Sequence, residues 1–77
     1  MSRGSEQNAI EDLKRNCKLV DVTAEYTAGG WRIRGRRKGQ PDSAPVVDIR
    51  ENYLKTAKKQ FEEAYGKALS SGILKAE

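Results

Sequence analysis

The sequence predicts an α+β fold, in which a small three-stranded antiparallel sheet packs on a long C-terminal helix and a short N-terminal helix closes one edge (α-β-β-β-α). Two observations indicate this fold: two segments with period-two alternation flank a Gly-Gly turn, and a later segment has apolar residues at helical spacing. The 77 residues suffice for one small domain. We expect a compact domain at residues 8–74, a flexible N-terminus at 1–7 and a frayed C-terminus at 75–77.

A short first helix is predicted to begin at Asn8, because Asn8 and Glu11 have the spacing of a capping box. Ile10, Leu13 and Cys17 then recur at helical spacing and form an apolar stripe. Cys17 is the only cysteine, so the chain cannot form an internal disulfide, and this is consistent with the reducing cytoplasm. We interpret Cys17 as a core or boundary residue rather than a reactive thiol.

The next two segments are predicted to be strands that pair through a hairpin turn at residues 27–30. In the first of them, at residues 18–27, apolar side chains alternate with polar ones. Gly29 and Gly30 supply the positive φ angles that a tight hairpin turn requires. With this turn, the buried face of the hairpin is expected to consist of Val20, Val22, Ala24, Tyr26, Trp31 and Ile33.

The second strand of the hairpin is the most informative stretch, because cations alternate in it with apolar residues. Arg32, Arg34 and Arg36 point away from the buried face and define what is called here the open face. Acidic residues of the first strand share that face, and these are Asp21 and Glu25. Two interpretations follow. Either the uncompensated arginines bind an anionic partner, or the face is an ion-pair ladder exposed to solvent.

A loop at residues 38–45 precedes a short third strand, Val46-Val47-Asp48-Ile49, whose start after Pro45 suits an edge position. The long helix follows, since apolar residues recur with 3-4-3-4 spacing. Its apolar stripe consists of Leu54, Ala57, Phe61, Ala64 and Ala68, widened by Tyr65 and Leu69. We predict a capping box at 48–51, with Asn52 as a competing cap. The helix is predicted to end at 70–72, with an apolar contact from Ile73 after the glycine.

The composition argues against an enzyme. The chain has no histidine, and one cysteine cannot build a zinc site. The sequence contains no phosphate-loop or dinucleotide fingerprint and no apolar run of membrane-spanning length. We therefore expect a non-enzymatic, cytoplasmic protein with no cofactor, no metal and no membrane association. The net charge of +4 favours an acidic partner, of which nucleic acid is the commonest.

The segment Gly30-Trp31-Arg32-Ile33-Arg34 resembles the second strand of the plant AP2 and phage-integrase arm-type DNA-binding modules. Residues 63–68 resemble the alanine- and tyrosine-rich helix that backs their sheet, and the resemblance covers residues 19–69. It implies a three-stranded sheet whose open face enters the major groove of DNA, with contacts from Arg32, Arg34 and Arg36. The acidic residues on that face, the short third strand and the additional first helix depart from the family pattern.

The order helix-strand-strand-strand-helix is also similar to the double-stranded-RNA-binding domain, whose basic helix start would correspond to Lys58-Lys59. The Gly-Pro-x-His signature of that family is missing from residues 27–30, so DNA is favoured over RNA. We therefore predict a nucleic-acid-binding module, monomeric or weakly dimeric. Its predicted binding residues are Arg32, Arg34, Arg36, Lys38, Lys58 and Lys59.

The alternative is a protein-interaction module from a different functional class. An inhibitor or adaptor could present the same arginine strand to an acidic protein surface or to a protein that itself handles nucleic acid. Tyr53 lies off the helix stripe and is the candidate exposed aromatic residue, a type that is enriched at protein interfaces. An exposed strand edge could also pair with a strand of the partner.

Overall fold

The computed structural model describes the backbone of residues 2–40 and 42–75, and the side chains of residues 7–40 and 42–75. The elements are α1 (Ser2–Asn16), β1 (Val20–Thr27), β2 (Gly30–Arg37), β3 (Val47–Glu51) and α2 (Leu54–Ser71). All three strands form one antiparallel sheet in the order β1-β2-β3. The predicted α+β fold is therefore confirmed, with the arginine strand β2 at the centre and β3 at an edge.

The register of the hairpin agrees with the prediction. Tyr26 pairs with Trp31 and Ala24 with Ile33, so even positions of β1 share a face with odd positions of β2. The buried side chains of that face pack against both helices, since α1 and α2 lie on the same side of the sheet. The core consists of Leu13, Cys17, Val20, Val22, Ile33, Val47, Ala57, Phe61, Tyr65, Ala68 and Leu74.

Helix α1 begins earlier than predicted. It starts at Ser2, so Asn8 lies inside the helix rather than at its N-cap. The reason is that no proline interrupts residues 2–7, which include the good helix formers Arg3, Glu6 and Gln7. The N-terminal segment predicted to be flexible is thus helical from Ser2 onward. Met1 and, apart from Lys75, the C-terminus predicted to fray lie outside the described residues.

The start of α2 also differs from the prediction. The N-cap residue is Tyr53, which makes no side-chain capping bond, and neither Asp48 nor Asn52 caps the helix. The reason is that β3 continues to Glu51, two residues beyond its predicted end. Asp48 therefore lies inside a strand, where its carboxylate binds an arginine of β2.

Helix α2 ends at the predicted glycine, but the apolar contact after this glycine is made by a different residue than predicted. Gly72 adopts a left-handed conformation with φ 83° and ends the helix. Ile73 is exposed, whereas Leu74 is buried and donates its backbone N–H to the Ala68 carbonyl over 3.1 Å. Leu69, predicted to widen the apolar stripe, is exposed as well. The turn at Gly72 directs Leu74 rather than Ile73 toward the core.

Two aromatic residues of the predicted buried face are only partly buried or exposed. Tyr26 is on the core side of the sheet by register, but 67% of its surface is exposed. Trp31 is half-buried, and its ring centroid lies 5.2 Å from that of Tyr26. The reason is their position, since both residues flank the hairpin turn at the end of the sheet.

Candidate nucleic-acid interface

The open face is uncovered, since both helices in the described part of the chain pack against the opposite face of the sheet. Period-two alternation in β3 adds two residues to this face, Asp48 and Arg50. The face therefore extends over three strands. Its charged residues are Asp21 and Glu25 on β1, Arg32, Arg34 and Arg36 on β2, and Asp48 and Arg50 on β3.

Arg32 forms the best-defined ion pair of the open face. Its Nε donates to Asp48 Oδ1 over 3.1 Å, and its Nη2 donates to Asp48 Oδ2 over 2.8 Å. This bidentate geometry fixes the plane of the guanidinium group. The hydrogen bonds from Arg32, together with the positive charges of Arg32, Arg50 and Arg34, lower the pKa of Asp48 from its usual range.

Arg34 occupies the centre of the open face. Its Nη2 donates to Glu25 Oε1 over 3.1 Å, whereas its Nε is shielded from solvent and has no hydrogen-bond partner among the described residues. Both ion pairs of the face run diagonally, because Glu25 is directly opposite Arg32 and Asp48 is directly opposite Arg34. Each carboxylate is thus bonded to one arginine and directly opposite another.

Arg36 and Arg50 differ from the two central arginines, since neither forms an ion pair within 4 Å of a described carboxylate. The Nε of Arg36 donates to the backbone carbonyl of Ser43 over 3.0 Å, which places the loop after β2 beside the sheet. Arg50 is exposed and lies directly opposite Arg32, a like charge. Asp21 is directly opposite Arg36 without an ion pair within 4 Å, so Arg36 and Arg50 are the two cations of the open face that no described carboxylate binds.

The structure divides the sequence-predicted binding residues among three places. Arg32, Arg34 and Arg36 are together on the open face, Lys38 is in the turn after β2, and Lys58 and Lys59 are on α2. Helix α2 packs against the opposite face of the sheet, so its lysines are not part of the open face. Lys58 Nζ instead lies 3.7 Å from Asp12 Oδ2 on α1.

The prediction for the open face omitted Asp48 and Arg50. The alternation of Val47, Asp48, Ile49 and Arg50 was the pattern that could have identified them, because it continues the period-two rule of β1 and β2. Assigning Asp48 to a helix cap concealed this alternation. With both residues included, four arginines share the open face with three carboxylates, so the excess of positive charge stays at one, as in the hairpin alone, where three arginines share the face with two carboxylates.

The hairpin end of the sheet has a second exposed feature, an aromatic patch formed by Tyr26, Trp31 and Tyr53. Tyr53, predicted to be exposed, has 74% of its surface accessible. The patch borders a shallow groove that also includes Asn52 and Leu54. Exposed aromatic side chains of this kind are typical of protein–protein contacts.

The fold and this site define a small α+β domain with an arginine-bearing open sheet face. In comparisons with known proteins, no family model, curated protein or solved structure matches the chain. Within the described residues, no helix combines the length and the apolar character needed to cross a membrane. Nor do the described residues contain a group of three or more His, Cys, Asp or Glu side chains that could hold a metal ion.

Proposed function

We propose that the chain is a non-enzymatic nucleic-acid-binding module that uses the open face of its sheet, with duplex DNA as the preferred ligand. The observation that supports this most is the block of four arginines on an uncovered three-stranded sheet, two of which have no carboxylate within 4 Å in the described part of the chain. The major groove of B-form DNA admits a two-stranded β-ribbon, and strands of β-sheets also bind in the grooves of DNA.

The four arginines have different roles in this proposal. Asp48 and Glu25 hold Arg32 and Arg34 in fixed positions, so little side-chain entropy is lost when their remaining N–H groups contact DNA. Arg36 and Arg50 form no ion pair within 4 Å of a described carboxylate, so their guanidinium groups supply the phosphate contacts. The resemblance to AP2 and integrase arm-type modules supports the same face. The absence of histidine and the single cysteine support a non-enzymatic protein of the reducing cytoplasm.

The test is the binding of labelled duplex DNA, duplex RNA and single-stranded DNA, measured by fluorescence anisotropy at several salt concentrations. We expect duplex DNA to bind most tightly and to release about three ions, because each phosphate contact contributes about 0.9 to the slope of log K against log salt. The variant Arg36→Gln/Arg50→Gln is expected to weaken binding about tenfold or more. Equal affinity of this variant and the native protein would disprove a role for the open face.

A matched control variant removes two positive charges from a different surface of the protein. Lys55 and Lys67 are exposed on α2, which packs against the other face of the sheet. The variant Lys55→Gln/Lys67→Gln is expected to bind DNA within about twofold of the native protein, since nonspecific long-range attraction is screened at 0.15 M salt. The single variant Arg50→Gln complements this test, because Arg50 makes no described hydrogen bond whose loss would disturb the fold.

The aromatic patch favours a second candidate function. This function is the binding of an acidic protein or of a protein that handles nucleic acid. Most of the surface of Tyr26 and of Tyr53 is exposed, and exposed apolar patches mark interaction sites. The variant Tyr26→Ser/Tyr53→Ser distinguishes the two functions. DNA binding through the arginines is expected to persist in it, whereas a stoichiometric complex with a protein partner would weaken.

A further inference from the structure

A groove with four cationic side chains lies at the end of the sheet opposite the hairpin turn. It runs between the start of β1, the end of β2 and the segment that follows α2, and its volume is about 620 Å³. Lys18, Arg37, Lys38 and Lys75 line it, and none of its lining residues in the described part of the chain is acidic. This basic groove is separate from the open face, and the proposed function does not use it.

The segment that follows α2 forms one wall of the basic groove, and contacts with the core and with β2 hold it in place. The left-handed conformation of Gly72 turns the chain away from α2, and the buried side chain of Leu74 fixes the segment to the core. Arg37 Nη2 donates to the Ile73 carbonyl over 3.0 Å, which joins the end of β2 to this wall. The guanidinium of Arg37 is therefore positioned, and it keeps further N–H donors for a ligand.

The opposite wall is a turn that presents Lys38. The backbone N–H of Gln40 donates to the Arg37 carbonyl over 3.0 Å, and Gly39 has φ 77°, as such a turn requires. The N–H of Lys38 donates to the Leu19 carbonyl over 3.3 Å, which joins the turn to the residues before β1. Lys18 precedes Leu19 and thus lies beside Lys38.

The basic groove concentrates positive charge, since its four cations equal in number the net charge of the whole chain. The chain has fifteen basic and eleven acidic residues, a net charge of +4. None of the four lies within 4 Å of a described carboxylate oxygen. The open face, in contrast, has three carboxylates among its four arginines.

We propose that the basic groove binds phosphate groups. Four cations around a concave surface, with no acidic side chain among its described lining residues, favour a multiply charged anion, and a positioned guanidinium matches the geometry of phosphate oxygens. Such phosphates can come from a short free polyphosphate or from the backbone of a nucleic acid. The second source rests on the proposed function, whereas the first does not.

The first arm of the test uses sodium tripolyphosphate, titrated into the ¹⁵N-labelled protein and followed by amide chemical shifts. Binding at the groove is expected to shift the amides of Lys18, Lys38 and Ile73. The variant Lys18→Gln/Lys38→Gln is expected to weaken binding about tenfold, whereas Lys55→Gln/Lys67→Gln, with the same loss of charge, stays within about twofold. Both lysines of the groove variant are exposed, so a native-like thermal unfolding curve is expected.

The second arm uses duplex DNA and compares the groove variant with the open-face variant Arg36→Gln/Arg50→Gln. If the groove contacts the backbone, its variant lowers the slope of log K against log salt by about 1.8, since two phosphate contacts are lost. A groove variant that weakens DNA binding while the open-face variant does not would support this inference and overturn the role of the open face. The inference is overturned if the groove variant behaves like Lys55→Gln/Lys67→Gln with both probes.

Discussion

Gly35, in the middle of β2, lies so close to Phe61 of α2 that a Cβ built on the glycine would be 2.8 Å from Cζ of the ring. The same Cβ would lie 3.1 Å from Cγ2 of Val20. Phe61 is fully buried, and Gly35 provides the space on the sheet that its ring occupies. The glycine at this position of the central strand thus determines how closely α2 approaches the sheet.

Replacing Gly35 with alanine is expected to destabilise the fold by about 1–3 kcal/mol, because the added methyl group overpacks the core. The measurement is the free energy of unfolding from urea denaturation followed by circular dichroism. Gly66→Ala is the matched control, since a Cβ at Gly66, in the interior of α2, would meet nothing within 4 Å. That substitution is expected to stabilise the helix by up to about 1 kcal/mol. Equal stability of the two variants would contradict the packing described here.

Phe61→Ala is expected to cost about 3–5 kcal/mol, because it removes the largest fully buried side chain. Trp31→Ala is expected to cost clearly less, although tryptophan is the larger residue, since Trp31 is only half-buried and packs on the exposed Tyr26. Urea denaturation of both variants gives the comparison. A Trp31→Ala variant less stable than Phe61→Ala would show that the hairpin end contributes more to the core than its exposure indicates.

The ion pair between Asp48 and Arg32 makes a pH-dependent contribution to stability. Arg32 lowers the pKa of Asp48 in the folded state, so this stability is present above the pKa of an unfolded aspartate and is lost as pH falls through the folded value. Asp48→Asn should therefore lose less stability than the native protein between pH 7 and the acidic range. Urea midpoints across that range provide the measurement.

A double-mutant cycle tests whether Arg32 is the cause. In the Arg32→Gln background, the substitution Asp48→Asn is expected to change the acid dependence much less than it does in the native background. An unchanged effect of Asp48→Asn without Arg32 would assign the pH dependence to another cation of the open face. The size of the effect is expected to be small, since both side chains are about one-third exposed.

Burial, and secondarily the negative charge of Glu62, raises the pKa of the Cys17 thiol to about 11. The folded protein is expected to react slowly with a thiol reagent at pH 8 and rapidly once urea is added, because the thiolate is the reactive form. The raised pKa also means that stability is lost as pH rises from about 9 toward 11, where the unfolded state releases the proton first. The variant Cys17→Ala has no thiol to titrate. The difference between its unfolding profile at alkaline pH and that of the native protein therefore isolates the contribution of Cys17. Fast labelling without denaturant would show that Cys17 is accessible.

The sequence was sufficient for the fold class and the hairpin register because alternation and helical spacing are properties of short segments. Val20, Val22 and Ile33 could be assigned to the core from their alternating positions along the two strands alone. The boundaries of elements were less predictable. Asn8 and Asp48 both have capping-box spacing, yet neither begins a helix, because the backbone at Asn8 is already helical and Asp48 is paired within β3, whereas a cap residue must itself be the first residue outside the helix.

The β1 and β2 parts of the open face could be predicted from the sequence, including Glu25 as a partner of the arginines, whereas Asp48 and Arg50 of β3 were missed. Which carboxylate binds which arginine depends on diagonal contacts across the strands, which the alternation of residues does not specify. The basic groove could not be predicted at all, because Lys18 and Lys75 are distant in the sequence and meet only after the turn at Gly72. Residues that come together at the ends of helices and strands leave no periodic pattern in the sequence.

The contact between Trp31 and Tyr26 determines what the intrinsic emission of the protein reports. Trp31 is the only tryptophan, and it lies beside the hairpin turn rather than within the core formed around Phe61. Emission is therefore sensitive to opening of the hairpin end, whereas far-ultraviolet circular dichroism follows mainly the two helices. Coincidence of the two unfolding curves would demonstrate that the hairpin end and the helices unfold as one cooperative unit.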